Sequence, residues 1–252
     1  MPLAERHWRL LPDAAGDGAF HMALDETLLE SHRQGLTPPT LRFYSWAPPA
    51  LSLGYAQPLS DVNLEACREA GISVVRRSTG GRAVLHQGEF TYAVIASEGF
   101  PASVSGTYRM ITEVLAQAIA RLGVPADIAP GKLSRAGSAS CFQSATQADL
   151  VALGRKLVGS AQTRREGAFL QHGSLMLTQR PDDIQPFLNR PAAGGDATCL
   201  ADVMETLPSR EAIAQAITEA VTAAWGVRLE IGALTPWEQS RALDRMASHH
   251  LG

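Results

Sequence analysis

Apolar and polar positions along this chain follow two periods, and each change of period marks where one element yields to the next. Trp8-Arg9-Leu10-Leu11, short and bounded by Pro12-Asp13, predicts an opening strand. After Asp17, a candidate N-cap, Phe20, Ala23, Leu24 and Leu28 recur at helical spacing. They predict a helix with that stripe buried and with Asp25, Glu26 and Glu30 facing elsewhere. Residues 41–46 and 50–55 read as two strands around Pro48-Pro49, and 63–70 as a short helix stopped by Gly71. The β-branched run 72–76 leads into a glycine turn, and 90–95 is a further strand. Tyr108, Ile111, Leu115, Ala118, Ile119 and Leu122 form the clearest amphipathic helix, ended by Gly123 and Pro125. Residues 129–140 are small and polar, without periodicity, as substrate-gating loops are. Residues 150–158 read as a hairpin, and 157–163 pairs with 168–177 across 164–167. A helix over about 210–224 precedes a strand at 227–230.

Strands come in consecutive groups with helices between the groups. That predicts an α+β fold, a mixed and largely antiparallel sheet packed with helices, over a parallel βαβ sheet. One domain across 1–252 is expected, with about 200–252 either part of it or a small appendage. A chain of 252 residues suffices to bury roughly 70–75% of its unfolded surface. With 45% apolar and 19% charged residues it is ordinary globular material. A net charge of -3 offers no reason to expect nucleic acid as a partner. No apolar run reaches the length of a membrane span, and the N-terminus lacks a signal-peptide layout. Three scattered cysteines, Cys67, Cys141 and Cys199, do not make a disulfide framework, so a cytoplasmic setting is expected.

The candidate chemistry lies in three segments. Gly80-Gly81, within Arg76-Arg77-Ser78-Thr79-Gly80-Gly81-Arg82, lets backbone approach a carbonyl or phosphate; the plain alternative is a tight strand turn. Three guanidinium groups around one turn repel each other unless solvated or paired with an anion. His86, beyond the turn, and His172 are each either a packed strand histidine or a site residue. Histidine and cysteine spacings match no metal site. Cys141 sits among Ser138, Ser140, Gln143 and Ser144, a polar context unlike that of a core cysteine. Its thiol needs a nearby base or cation to become a nucleophile. Lys156 can supply that charge, or accept a proton if burial lowers its pKa; the alternative is an exposed hairpin lysine. Lys132 and Lys156 are the two lysines among 22 basic residues, so lysine abundance does not explain it.

The run from Arg76 to His86, with Glu89 and Thr91-Tyr92, resembles the glycine turn of the biotin/lipoate protein ligase superfamily. Residues 154–162 and Gln171-His172-Gly173-Ser174-Leu175 resemble that superfamily's lysine-bearing strand and the strand after it. Residues 20–26 and 41–46 extend the likeness, which covers about 8–180 in order. Ser140-Cys141-Phe142 is similar to the cysteine octanoyltransferases within the superfamily. The resemblance implies octanoyl or lipoyl transfer from acyl-carrier protein to a lysine of a lipoyl domain or glycine-cleavage H protein. By it, Cys141 carries the acyl group as a thioester and Lys156 is the lysine of the acyl pocket. Arg77, Thr79, Gly80, Gly81, Arg82, His86, Gly159, Ser160, Ala161, His172 and Gly173 are the implied substrate-binding residues. No cofactor beyond the carrier's phosphopantetheine is implied, and the protein is expected to work as a monomer. Two other classes stay open. An ATP-dependent lipoate ligase would use the same pocket with Mg and ATP, and a non-catalytic acyl-binding protein would need no nucleophile. A Gly-Gly-Arg turn in place of three glycines, and a chain ending at Gly252, lean toward the transferase.

Overall fold

Strand β1 (His7–Leu11) pairs in parallel with β3 (Thr40–Trp46), and β3 lies antiparallel to β7 (Glu89–Ala96). These strands form the middle of the main sheet in a computed structural model that describes residues 6–97, 99–129, 149–190 and 197–251. Beyond β7 the sheet continues antiparallel through β11 (Ala168–Met176), β10 (Arg155–Arg165), β9 (Leu150–Ala152) and β8 (Ala126–Ile128). Strand β12 (Arg228–Ile231) closes the other edge, parallel to β1, and the short β2 (Ala15–Gly16) pairs with β3. A second sheet is ordered β5 (Ser73–Arg76), β4 (Ala50–Leu53), β6 (Val84–His86). The chain crosses from one sheet to the other at Pro48-Pro49, so the two strands flanking those prolines do not pair. The fold is α+β as expected, with parallel pairing along β12-β1-β3, between β2 and β3, and between β4 and β5 of the second sheet.

Period-2 alternation sets the layers. On β7, Phe90, Tyr92, Val94 and Ala96 join the core under α3 (Val104–Arg121) and α4 (Arg210–Trp225). Ala93 and Ile95 face the opposite core with α1 (Gly18–Arg33). Each helix begins where its sequence supplies a cap: Asp17 accepts from the Ala19 and Phe20 amides, Ser103 from Gly106 and Ser209 from Ala212. The short α2 (Leu64–Glu69) is capped by Asn63.

Two local expectations change. Strand β10 extends to Arg165, so the turn to β11 is only Glu166-Gly167. Both residues have positive φ (47° and 84°), which suits a two-residue hairpin. A helix absent from the sequence reading, α5 (Pro236–His249), packs along α1. Thr235 and Glu238 cap it reciprocally, and Glu238 also receives both terminal nitrogens of Arg9 at 2.8 and 2.7 Å. His249 at the end of α5 is buried against Glu26 and the Arg76 carbonyl. Among the described residues no helix is long and apolar enough to cross a membrane.

Candidate active site

A small, partly open pocket lies where β10 and β11 meet β4 and β6. Met22, Trp46 and Val84 give it apolar walls, and Gly159, Ala161 and Gly173 give it a side with little projecting side chain. Glycine is required at 173. A Cβ there would stand 2.5 Å from Ser160 Oγ, 2.7 Å from the Tyr92 ring and 2.8 Å from the Gly159 carbonyl.

The glycine turn is held by its own arginines. Arg77, 4% exposed, donates through Nη1 to the Ser52 carbonyl and through Nη2 to the carbonyls of Gly80 and Arg82. Arg76 donates to the carbonyls of Gly54, Tyr55 and Gln57. The turn sits hard against β4: a Cβ on Gly54 would lie 2.0 Å from the Gly81 carbonyl oxygen. Backbone carbonyls thus engage the guanidinium groups of Arg76 and Arg77. Arg82, about half exposed, stands 3.9 Å from Asp61.

A directional chain continues from Arg77 into the pocket wall. Arg77 donates to Ser52 Oγ at 3.0 Å, Ser52 donates to His86 Nε2 at 2.8 Å, and His86 Nδ1 donates to Glu89 at 3.0 Å. Burial pushes the His86 pKa down despite Glu89, which matches a neutral ring that accepts on one side and donates on the other. That ring stacks on Trp46, with centroids 3.7 Å apart.

Asp25, expected to face away from the core, is 1% exposed and centres a second network. It pairs with Arg42 and accepts from Tyr44 at 3.0 Å and His172 Nδ1 at 2.9 Å. With Nδ1 turned to Asp25, Nε2 of His172 meets the Thr79 hydroxyl at 2.7 Å. Burial opposes the Asp25 charge, but Arg42 and His172 outweigh it and hold the carboxyl below its usual range. Arg42 also donates to His21 Nδ1 at 2.6 Å, and burial and Arg42 together bring the His21 pKa down to about 3. The network ties α1, β3, β11 and the glycine turn together.

Lys156 is not an exposed hairpin lysine. It is 3% exposed and bonded at 2.9 Å to Asp149, itself 1% exposed. Tyr108 on α3 donates to Asp149 at 2.5 Å, and its oxygen lies 3.3 Å from the Ser160 carbonyl. The β9–β10 hairpin buries Lys156 because β11 covers one edge of β10 and Thr198 donates to the Lys156 carbonyl.

Of the residues expected from sequence, Arg77, His86, Gly159, Ser160, Ala161, His172 and Gly173 line one pocket. Thr79 is fully buried behind His172. Gly80, Gly81 and Arg82 lie on the exposed side of the turn, outside that lining, and Lys156 stands behind Ser160 through Asp149 and Tyr108. Cys141 lies outside the described residues. Asp25, Arg42, Tyr44, Trp46, Ser52, Tyr108 and Asp149 belong to the site and were not singled out. A signal existed for two of them: on β3, Arg42 and Tyr44 alternate with the apolar Leu41 and Phe43 on a strand flanked by other strands, which demands a buried partner for Arg42.

Residues 17–222 match the lipoyl protein ligase A/B catalytic domain. The chain belongs to this family. It is 40% identical to octanoyltransferase LipM of Moorella thermoacetica, over 96% of this chain and 95% of that one. It is 41% identical to octanoyltransferase LipM of Kyrpidia tusciae, over 96% of both chains. On these relatives the protein is an enzyme, an acyltransferase of the octanoyltransferase kind. A crystal structure of lipoate-protein ligase A bound with ATP superposes with a TM-score of 0.82, covering 96% of this chain and 94% of that one. At 24% identity that likeness speaks to the fold. The expected superfamily fold is the observed one.

Proposed function

We propose that this octanoyltransferase takes its acyl group from acyl-carrier protein, holds it as a thioester on Cys141, and passes it to a lysine of a lipoyl domain or glycine-cleavage H protein. The Cys141 thiolate attacks the donor thioester and releases the carrier's phosphopantetheine thiol. The acceptor amine then attacks the enzyme thioester, forms the amide, loses a proton and frees the Cys141 thiolate.

The observation that carries this reading is the pocket, with apolar walls and glycine-lined β10 and β11 strands, inside a chain similar to octanoyltransferases over 96% of its length. Each methylene buried there is worth about 0.8 kcal/mol. A six-carbon donor should therefore be poorer by about 1.6 kcal/mol, around fifteen-fold. The arginines weigh against the ATP-dependent alternative, since Arg76 and Arg77 direct their guanidinium nitrogens to backbone carbonyls of the turn.

The test is intact-mass analysis after mixing the enzyme with octanoyl-carrier protein without ATP. A hydroxylamine-labile octanoyl adduct mapping to Cys141 is expected. Full turnover by Cys141→Ala, or lipoyl-AMP formed from free lipoate and ATP, would remove the thioester mechanism.

A further inference from the structure

Lys156 is held in a way that bears on what it does. A buried amine normally sheds its proton, because desolvation penalises the ammonium. Here the buried Nζ has a carboxylate at 2.9 Å, on a residue as inaccessible as the lysine. An opposite charge at that distance, screened by little water, favours the ammonium strongly. The carboxylate is fixed in turn. Asp149 immediately precedes β9, which pairs with the start of β10, so the hairpin sets the two side chains side by side. Tyr108, reaching down from α3, donates to Asp149 at 2.5 Å and spans to the Ser160 carbonyl, whose residue lines the pocket. Three elements thus fix one cation and link it, through Asp149 and Tyr108, to Ser160 of the pocket lining.

We infer that Asp149 and Tyr108 are positioning residues that keep Lys156 as a fixed ammonium beside the acyl pocket, so that Lys156 contributes a charge and hydrogen-bond donors rather than a free base. This rests on the acyl-transfer reading for its purpose, but the charge state itself does not. A fixed cation would favour a thiolate nucleophile and the oxyanion of the tetrahedral intermediate, both of which are negative. An amine free to accept the acceptor lysine's proton would instead have to be neutral in the resting enzyme.

The small number of lysines makes a direct test accessible. With 13Cε-lysine labelling, Lys132 and Lys156 give two side-chain signals, and Lys132→Arg assigns them. In the full-length protein the Lys156 signal should keep its ammonium shift to at least about pH 10. In Asp149→Asn its midpoint should fall by more than a unit, and the alkaline limb of the transfer rate should move down by the same amount. Asp149→Glu should restore both in part. A Lys156 midpoint below pH 8 in the unaltered protein would overturn the inference, and that measurement needs no variant to fold. So would an unmoved midpoint in folded Asp149→Asn, which would leave Asp149 a purely structural role. Failure of octanoyl transfer in the unaltered enzyme would count against the proposed function and leave the Lys156 titration interpretable.

Discussion

Two buried carboxylates stand near one pocket and are used differently. Asp25 is bound by Arg42, Tyr44 and His172, and those partners are themselves anchored to His21 and Thr79. Every member lies on α1, β3, β11 or the glycine turn, so the centre fixes how those elements meet, and it does so from behind Tyr44 and His172, which line the pocket. Asp149 pairs with Lys156 and accepts from Tyr108, which in turn reaches the carbonyl of Ser160, a residue of the pocket lining. A buried charge surrounded on all sides by architecture is itself architecture. One held in place beside a reactive cavity is a tool. The two centres should therefore respond differently to loss of a charge.

The largest effect is expected at Lys156. Lys156→Ala removes the cation and breaks the buried ion pair with Asp149. Transfer should fall roughly 10²–10³-fold, as when a preorganised electrostatic donor is lost. Urea unfolding should show a loss of about 3–5 kcal/mol. The variant is thus not the structurally innocent change that an exposed hairpin lysine would allow. Transfer at the normal rate would erase the distinction between the two centres.

Asp25→Asn should reverse the balance. It leaves Arg42 buried without its anion, again at about 3–5 kcal/mol in urea. Folded enzyme should nevertheless form the octanoyl adduct within a few-fold of the normal rate at saturating donor. A rate loss as deep as that of Lys156→Ala, with stability unchanged, would move Asp25 into the chemistry.

Gly173→Ala probes the pocket between the centres. Its new methyl meets Ser160, Tyr92 and the Gly159 carbonyl, and backbone cannot yield cheaply. A cost of about 1–3 kcal/mol in stability is expected. Octanoyl donors should lose more than hexanoyl donors, a ratio that competition assays read directly.

The smallest effect is a pH dependence at α5. Burial disfavours a charged His249, but Glu26 and the Arg76 carbonyl more than offset it and raise its pKa above 6.5. The His249 hydrogen bond, with Arg165 and Arg245 nearby, brings Glu26 down to about 2 from 4.5. The histidine's contribution is complete below pH 6.5 and lost as pH rises through its raised value. The carboxylate's contribution is complete above pH 4.5 and lost as pH falls toward 2. The urea midpoint should thus be highest between about pH 4.5 and 6.5 as far as this pair governs it, with His249→Asn flattening the alkaline side. An unchanged alkaline slope in that variant would show that the clamp carries no linkage.

Much of the fold was legible from the chain because its signals are local. Caps at Asp17, Ser103 and Ser209 and the stripe of α3 act within one or two turns, and the hairpins rest on neighbouring residues. Helix α5 escaped notice although Thr235-Pro236-Trp237-Glu238 carries a capping box with proline at the first position. Its buried face is thin, Glu238, Ala242 and His249, so apolar periodicity was nearly silent.

By itself the sequence determined the order of elements, the α+β class, and the segments that supply the pocket, since each depends on residues close together in the chain. Only the tertiary structure decided what the charged residues do. Asp25 meets His172 across 147 positions, and Arg9 meets Glu238 across 229. Arg77 turns inward to carbonyls, and Lys156 is enclosed with Asp149 instead of lying in water. A charge takes its meaning from what surrounds it in space, because burial and a partner's distance set whether it is held, neutralised or free.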